Sequence, residues 1–178
     1  MEPRQSVVDP KATWGLWFAQ ETDNMPTGWT NVDTTLEGLS NGNANISVQY
    51  DLGDELRSEW WRWRASFAFT ASITAGELMR LYLAGSHVGG VQARVDGNLQ
   101  VAKTSGVTVA QLANADNFGA VNTTLQTGSV QSGLVRIMDQ YISLVVENAT
   151  AGVTTSTTNG VNWVALWPRT PIEASRLD

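Results

Sequence analysis

The chain has no cysteine, a single histidine, and two lysines among its eleven cations. Without cysteine there is no disulfide, no thiolate metal site and no thiol nucleophile. One histidine, His87, cannot supply a zinc site, which needs several His or Cys ligands. His87 lies in the Gly-rich run Gly85-Ser86-His87-Val88-Gly89-Gly90, with no nucleophile elbow anywhere to serve, and is read as a loop residue. There is no apolar run of 18 residues, so no membrane-spanning helix is expected. Met1 to Ser6 lacks the apolar stretch of a signal peptide, so the Asn-X-Ser/Thr matches at Asn45, Asn122 and Asn148 are read as chance. A formal net charge of −6 argues against a general nucleic-acid binder.

Catalytic and cofactor chemistry has equally little to draw on. Asp51 to Leu56 is acidic, but the closing Glu of a calcium loop is missing. Asp54, Glu55 and Glu59 resemble a carboxylate pair only as any acidic turn does. Gly89-Gly90 matches no phosphate-binding fingerprint. The expectation is a protein without catalysis, cofactor or metal.

What the chain does have is eight Trp in 178 residues, and nine Arg. Trp and Arg are enriched at protein interfaces, where Lys is depleted. The densest stretch is Glu59 to Thr70. Read at period two, Trp61, Trp63, Ala65, Phe67 and Phe69 share one face, and Trp60, Arg62, Arg64, Ser66, Ala68 and Thr70 the other. The first set predicts a core face, the second an exposed aromatic and cationic surface.

Other segments follow the same period. Met1 to Ala12 reads as a polar N-terminal arm and Thr13 to Glu21 as a strand apolar on both faces, which needs cover on both sides or a neighbouring subunit. Thr22 to Asn45 reads as irregular loop with a short strand near Trp29 to Leu36, and Asn45 to Tyr50 as a strand. Glu77 to Ala84 alternates Leu78, Arg80 and Tyr82 against Met79, Leu81 and Leu83. Asp96-Gly97-Asn98 marks a hairpin within Val91 to Val101, and Val107 to Phe118 is ambiguous. Ala120 to Gln126 and Ser129 to Ile137 read as strands. Tyr141 to Glu147 is a clear one, with Ile142, Leu144 and Val146 inward and Tyr141, Ser143 and Glu147 outward. Val153 to Thr158 is a Thr-rich strand, joined through the hairpin pair Asn159-Gly160 to a last strand, Val161 to Trp167. There Trp163 and Trp167 oppose Val164 and Leu166. Trp61, Trp63, Phe67, Phe69, Ile142, Leu144 and Val146 are the predicted core.

Eight to ten short strands separated by turns predict an all-β, antiparallel β-sandwich of jelly-roll type. The expected organisation is an arm (1–12), one sandwich domain (13–168) and a C-terminal tail (169–178). In Glu59 to Thr70, Tyr141 to Glu147 and Val161 to Pro168 the chain resembles the small all-β structural proteins of tailed-bacteriophage virions, in particular the head decoration, or cement, proteins. The resemblance implies a homo-oligomer, often a trimer, that lies on the major capsid protein in the virion without catalysis and is assembled in the host cytoplasm; the net charge and the lack of an apolar span set aside nucleic-acid and membrane partners. The expected interface is Trp60, Arg62, Arg64 and Trp17. A different class of reading is a carbohydrate-binding or receptor-binding domain of a tail or fibre, stacking sugar rings on Trp17, Trp29 or Trp60.

Overall fold

A computed structural model describes residues 14–53, 59–73, 78–86, 104–107, 116–122 and 129–169. They form two sheets, and no helix occurs among them. The first sheet contains β1 (Leu16–Ala19), β2 (Thr30–Asp33), β5 (Trp60–Phe67), β9 (Ser129–Arg136) and β11 (Trp163–Pro168), in the order β2-β1-β11-β5-β9. The second contains β3 (Ala44–Ile46), β6 (Leu78–Ser86), β7 (Thr104–Val107), β8 (Asp116–Asn122) and β10 (Tyr141–Ala149), in the order β7-β3-β10-β6-β8, with β4 (Tyr50–Asp51) pairing the start of β10. With β2, β4 and β7 set aside, the eight remaining strands counted along the chain lie in the orders 1-8-3-6 and 2-7-4-5. That is the jelly roll, two interleaved Greek keys. Every pairing is antiparallel except β1 with β2, where Leu16 to Ala19 run alongside Thr30 to Asp33 in the same direction.

The core lies between the sheets, as the period-two reading requires. From β5, Trp61, Trp63, Ala65 and Phe67 point inward. They meet Met79, Leu81 and Leu83 of β6, Ile142, Leu144 and Val146 of β10, and Val164 and Leu166 of β11. Phe69 joins them just past β5, through an isolated bridge to Thr155. All seven predicted core residues are buried.

Trp63 shows how tightly this interior is fitted. A β-carbon on Gly133, opposite Trp63 on β9, would lie 2.5 Å from the indole nitrogen. One on Gly119 of the facing sheet would lie 2.5 Å from the ring carbons. Both glycines are there because the indole occupies the space of their missing side chains.

Several expectations are corrected. Asn45 to Tyr50 is two strands rather than one. Between β3 and β4 the Ser47 hydroxyl accepts the Leu144 amide at 2.9 Å, taking over a contact the backbone ladder would have made. Val153 to Thr158 forms no strand. Its backbone ties loops to sheet ends instead, with Thr155 N–H donating to the Leu39 carbonyl, Ser156 N–H to Ala68, and the Thr154 carbonyl accepting Thr70 N–H. The buried Thr155 hydroxyl accepts from Leu39 N–H and donates to the Leu36 carbonyl. Thr side-chain bonding to backbone competes with strand pairing, and here it wins. Asn159-Gly160 does turn, with Gly160 at φ 73°, but it joins no pair of strands. The described part of the strand expected over Ala120 to Gln126 belongs to β8, which begins earlier, at Asp116. The hairpin at Asp96 to Asn98, His87, Gly89-Gly90, Asp54, Glu55, the arm over 1–12 and the tail past Arg169 lie outside the described residues.

Candidate interaction surface

The outward face of the first sheet divides into two halves of opposite character. On the β1–β11 side, Trp17, Ala19, Trp29, Trp163, Ala165 and Trp167 form a second apolar cluster, with Met25 packed against it. Trp17 and Trp163 stack at 4.6 Å between ring centroids, with the planes 23° apart, and Trp29 tilts against Trp167 at 5.9 Å. The cover comes from the connection between β1 and β2. It folds back in two turns, Met25 N–H to the Thr22 carbonyl and Trp29 N–H to the Pro26 carbonyl, and lays Trp29 on the sheet. Gly15 makes this approach possible, since a β-carbon there would fall 2.4 Å from the Trp29 ring. The Trp17 indole N–H donates to the Glu21 carbonyl at 3.3 Å.

This removes Trp17 from the expected interface. It is 1% exposed. The strand apolar on both faces finds both its covers within its own chain, so it carries no argument for a neighbouring subunit. Trp29, at 6% exposure, is likewise closed to a sugar ring.

On the β5–β9 side the same face is open. Trp60, Arg62 and Arg64 point outward, opposite Arg136, Leu134 and Ser132 of β9 respectively. Trp60 is 46% exposed and Leu134 47%. Arg62, Arg136 and Ser132 are exposed, and Arg64 is half-buried. Just past β11, the Arg169 amide donates to the Trp60 carbonyl at 2.8 Å. Trp60 therefore sits in a row across three strands, with an arginine on each side. Neighbouring strands lie about 4.8 Å apart, so the guanidinium groups are within reach of the indole and of one another. Glu59, ion-paired with Arg136, is the one carboxylate on this half among the described residues. Of the five described cations, Arg62, Arg64, Arg80, Arg136 and Arg169, four belong here.

On the outward face of the second sheet, Glu147 takes the outward position that its alternation gives it and is nonetheless covered. Glu147 is 3% exposed. Its carboxylate accepts the Tyr82 hydroxyl at 2.8 Å and an Arg80 guanidinium N–H at 3.4 Å. Burial, and next the hydrogen bond to Glu147, hold the Tyr82 hydroxyl above its usual pKa, and the Glu147 charge raises that of Arg80. A buried carboxylate needs such partners. The signal in the sequence was faint: Arg80, Tyr82 and Glu147 all sit on the outward phase of paired strands, and register alone brings them together.

At one end of the sandwich a cavity of about 230 Å³ is lined by Leu83, Gly85, Val135, Ile137, Asp139 and Ile142 among others. Asp139 is its one carboxylate and Arg136 its one cation, with no nucleophile beside them. Among the described residues no group of three or more His, Asp or Glu could hold a metal ion, and no helix is long and apolar enough to cross a membrane.

No family model and no curated protein sequence matches the chain. Among solved structures it is similar to a 4-O-methyl-α-glucuronidase of glycoside hydrolase family 115, described as specific for decorated arabinogalactans, at 11% identity and a TM-score of 0.36. The match covers 77% of this chain and 14% of that one, so the chain spans a small part of that enzyme's length. At this distance the likeness carries no reading of function.

Proposed function

We propose that this protein is a non-catalytic structural component of a phage virion, a decoration or cement protein that stabilises the capsid by lying across subunit junctions. The observation that supports it is the open half-face: Trp60 and Leu134 exposed side by side among Arg62, Arg64, Arg136 and Arg169. A half-exposed Trp amid arginines on a flat sheet is the composition of an interface centre. Its partners are the major capsid protein and further copies of itself in a homo-oligomer such as the trimer. The carbohydrate-binding alternative keeps one of its three rings, Trp60, because Trp17 and Trp29 are covered.

The test mixes purified protein with capsids that lack it and measures occupancy and the temperature of capsid disruption. Saturable binding at a fixed ratio to capsid subunits with raised heat resistance is expected, and Trp60→Ala together with Arg62→Ala weakens it. Absence of capsid binding overturns the reading. If that absence comes with glycan binding that the Trp60→Ala change removes, the carbohydrate-binding domain takes its place.

A further inference from the structure

Among the described residues the two sheets end in four edge strands, β2 and β9 in the first and β7 and β8 in the second. An edge strand shows a row of backbone N–H and C=O groups to any strand that can lie beside it, and folded chains blunt such edges by shortness, charge or a bulge. β2 and β7 are four residues each, and β2 ends on Asp33. β8 begins on Asp116, and its register on β6 shifts between Leu81 and Tyr82. β9 has none of these devices. It runs eight residues in unbroken register on β5, and its one charged residue, Arg136, is its last.

Two hydrogen bonds fix which groups β9 shows. The Ile137 amide donates to the Glu59 carbonyl at 2.9 Å, one step beyond the pair of Trp60 with Arg136. The Trp60 carbonyl faces the other way and accepts the Arg169 amide at 2.8 Å. Backbone direction alternates along antiparallel strands. Val135, Gly133 and Gln131 therefore turn their N–H and C=O toward β5, and Arg136, Leu134 and Ser132 turn theirs to the free edge. The side chains of these last three are exposed on the outer face. Among the described residues no strand pairs with this edge.

We infer that the β9 edge takes a second copy of this chain: two β9 strands pair antiparallel about a two-fold axis at Leu134 and join the first sheets of two copies into one. The order of residues in β9 selects this occupant and this register. Leu134, 47% exposed, meets the partner's Leu134, an apolar pair in place of two wet side chains. Arg136 falls opposite the partner's Ser132, so no charge faces a like charge. The two Arg136 stand four residues apart along the paired strands, about 14 Å, beyond the screening length of about 10 Å at 0.1 M salt. Arg136 keeps its ion pair with Glu59 throughout. Ser132, Leu134 and Arg136 of both copies together make about six main-chain hydrogen bonds, the bonding of a strand added to a sheet. A two-fold contact uses the same edge on both copies and closes as a dimer. Opposed residues of paired strands point to one face, so the two outer faces, each with its Trp60, lie side by side and stay open. The inference concerns the edge of the sheet and does not rest on the virion reading.

The experiment uses the full chain free of capsids. Sedimentation of the wild type at up to about 1 mM is expected to show a monomer–dimer equilibrium. The chain has no cysteine, so a single introduced one reports on its own surroundings. Leu134→Cys places two thiols opposite one another across the axis, with Cα atoms about 5.5 Å apart, within reach of a disulfide. Ser132→Cys leaves them about 14 Å apart along the strands, out of reach. With an added thiol oxidant, the Leu134→Cys variant is expected to run as a covalent dimer on denaturing electrophoresis and the Ser132→Cys variant as a monomer. Leu134→Pro removes no bond of the fold, because that amide faces the free edge. It takes one donor from each copy at the axis and is expected to weaken the dimer about tenfold or more. Circular dichroism and thermal melting check that it folds; should it not, Leu134→Lys, which sets two like charges on the axis, takes its place. A wild type still monomeric at about 1 mM overturns the inference. So do a missing bridge at 134, an equal one at 132, or a dimer that substitution at 134 leaves unweakened. Capsid binding by a chain that stays monomeric would keep the virion reading and remove this inference; a dimer that ignores capsids would do the reverse.

Discussion

The two halves of one sheet face begin with the same material and end in different states. Trp17, Trp163 and Trp167 on one side, and Trp60 and Leu134 on the other, all occupy outward positions of regular strands. The first three are buried because ten residues of connection, 20–29, return across β1 and β11 and set Trp29 upon them. The β5–β9 half has no such cover among the described residues, and there the large side chains are half exposed and interleaved with arginine. A tryptophan on an outward strand position is thus uninformative until the connections are known. What separates a buried cluster from an open surface here is a loop, and the arginines stand on the half it leaves open.

The comparison breaks most plainly on stability. Trp17→Ala, or Trp163→Ala, removes one partner of a stacked, buried pair and is expected to cost about 3–5 kcal/mol. The check is denaturant unfolding at constant m-value. A cost below 1 kcal/mol would mean that the connection does not hold the covered half as described. The second outward face supplies a further contrast, burial secured by hydrogen bonds in place of stacking. Tyr82→Phe leaves the buried Glu147 without one of its donors, and a hydrogen bond to a charged group contributes about 1.5–3 kcal/mol. Because folding raises the Tyr82 pKa, the folded state holds this proton more firmly than the unfolded chain. The associated stability is complete below the ordinary tyrosine value of about 10 and is lost as pH rises through the folded value. Tyr82→Phe is expected to remove that part of the alkaline fall in melting temperature, and an unchanged alkaline limb would show that Tyr82 has no such role. Gly15→Ala is a smaller perturbation of the covered half. Its new methyl meets the Trp29 ring, and overpacking of this kind costs about 1–3 kcal/mol. Near-UV circular dichroism should change with it, because the tilt of Trp29 on Trp167 depends on that approach.

How much of this was legible beforehand follows the range of the forces involved. The inward faces of β5, β10 and β11 were readable because alternation is local: Trp61, Trp63, Phe67, Ile142, Leu144 and Val146 show their side by their spacing. The sandwich class followed from the run of such segments. Trp17 was misplaced because its cover is brought by a connection whose path no local pattern encodes. The outward phase of Glu147 was readable but its burial was not, because its partners Arg80 and Tyr82 are more than sixty residues away and meet it through strand register. The Thr-rich 153–158 carried strand propensity, but Thr155 spends its hydroxyl and amide on Leu36 and Leu39, more than a hundred residues upstream. The outward position of Trp60, Arg62 and Arg64 was readable because alternation within one strand is local; Leu134, Arg136 and Arg169, which lie beside them, come from other parts of the chain.

The smallest expected effect on stability is the one that separates the halves most sharply. Trp60 stands in β5 next to Trp61, one residue out of phase, and is 46% exposed where Trp61 is 1% exposed. Trp60→Ala opens no cavity, since half the ring is already in water, and outward substitutions of this kind shift stability by about 0.5 kcal/mol or less. Its cost should fall on association instead: a central aromatic in an interface typically contributes 2 kcal/mol or more, about thirtyfold in a dissociation constant. The measurement is a pair of curves on the same sample, thermal unfolding and binding to capsids that lack the protein. Trp60→Ala should leave the first in place and displace the second, whereas Trp17→Ala should lower the first. If Trp60→Ala instead lowered the melting point as Trp17→Ala does, the β5–β9 half would be a covered surface in the folded chain, and the distinction between the two halves would fall.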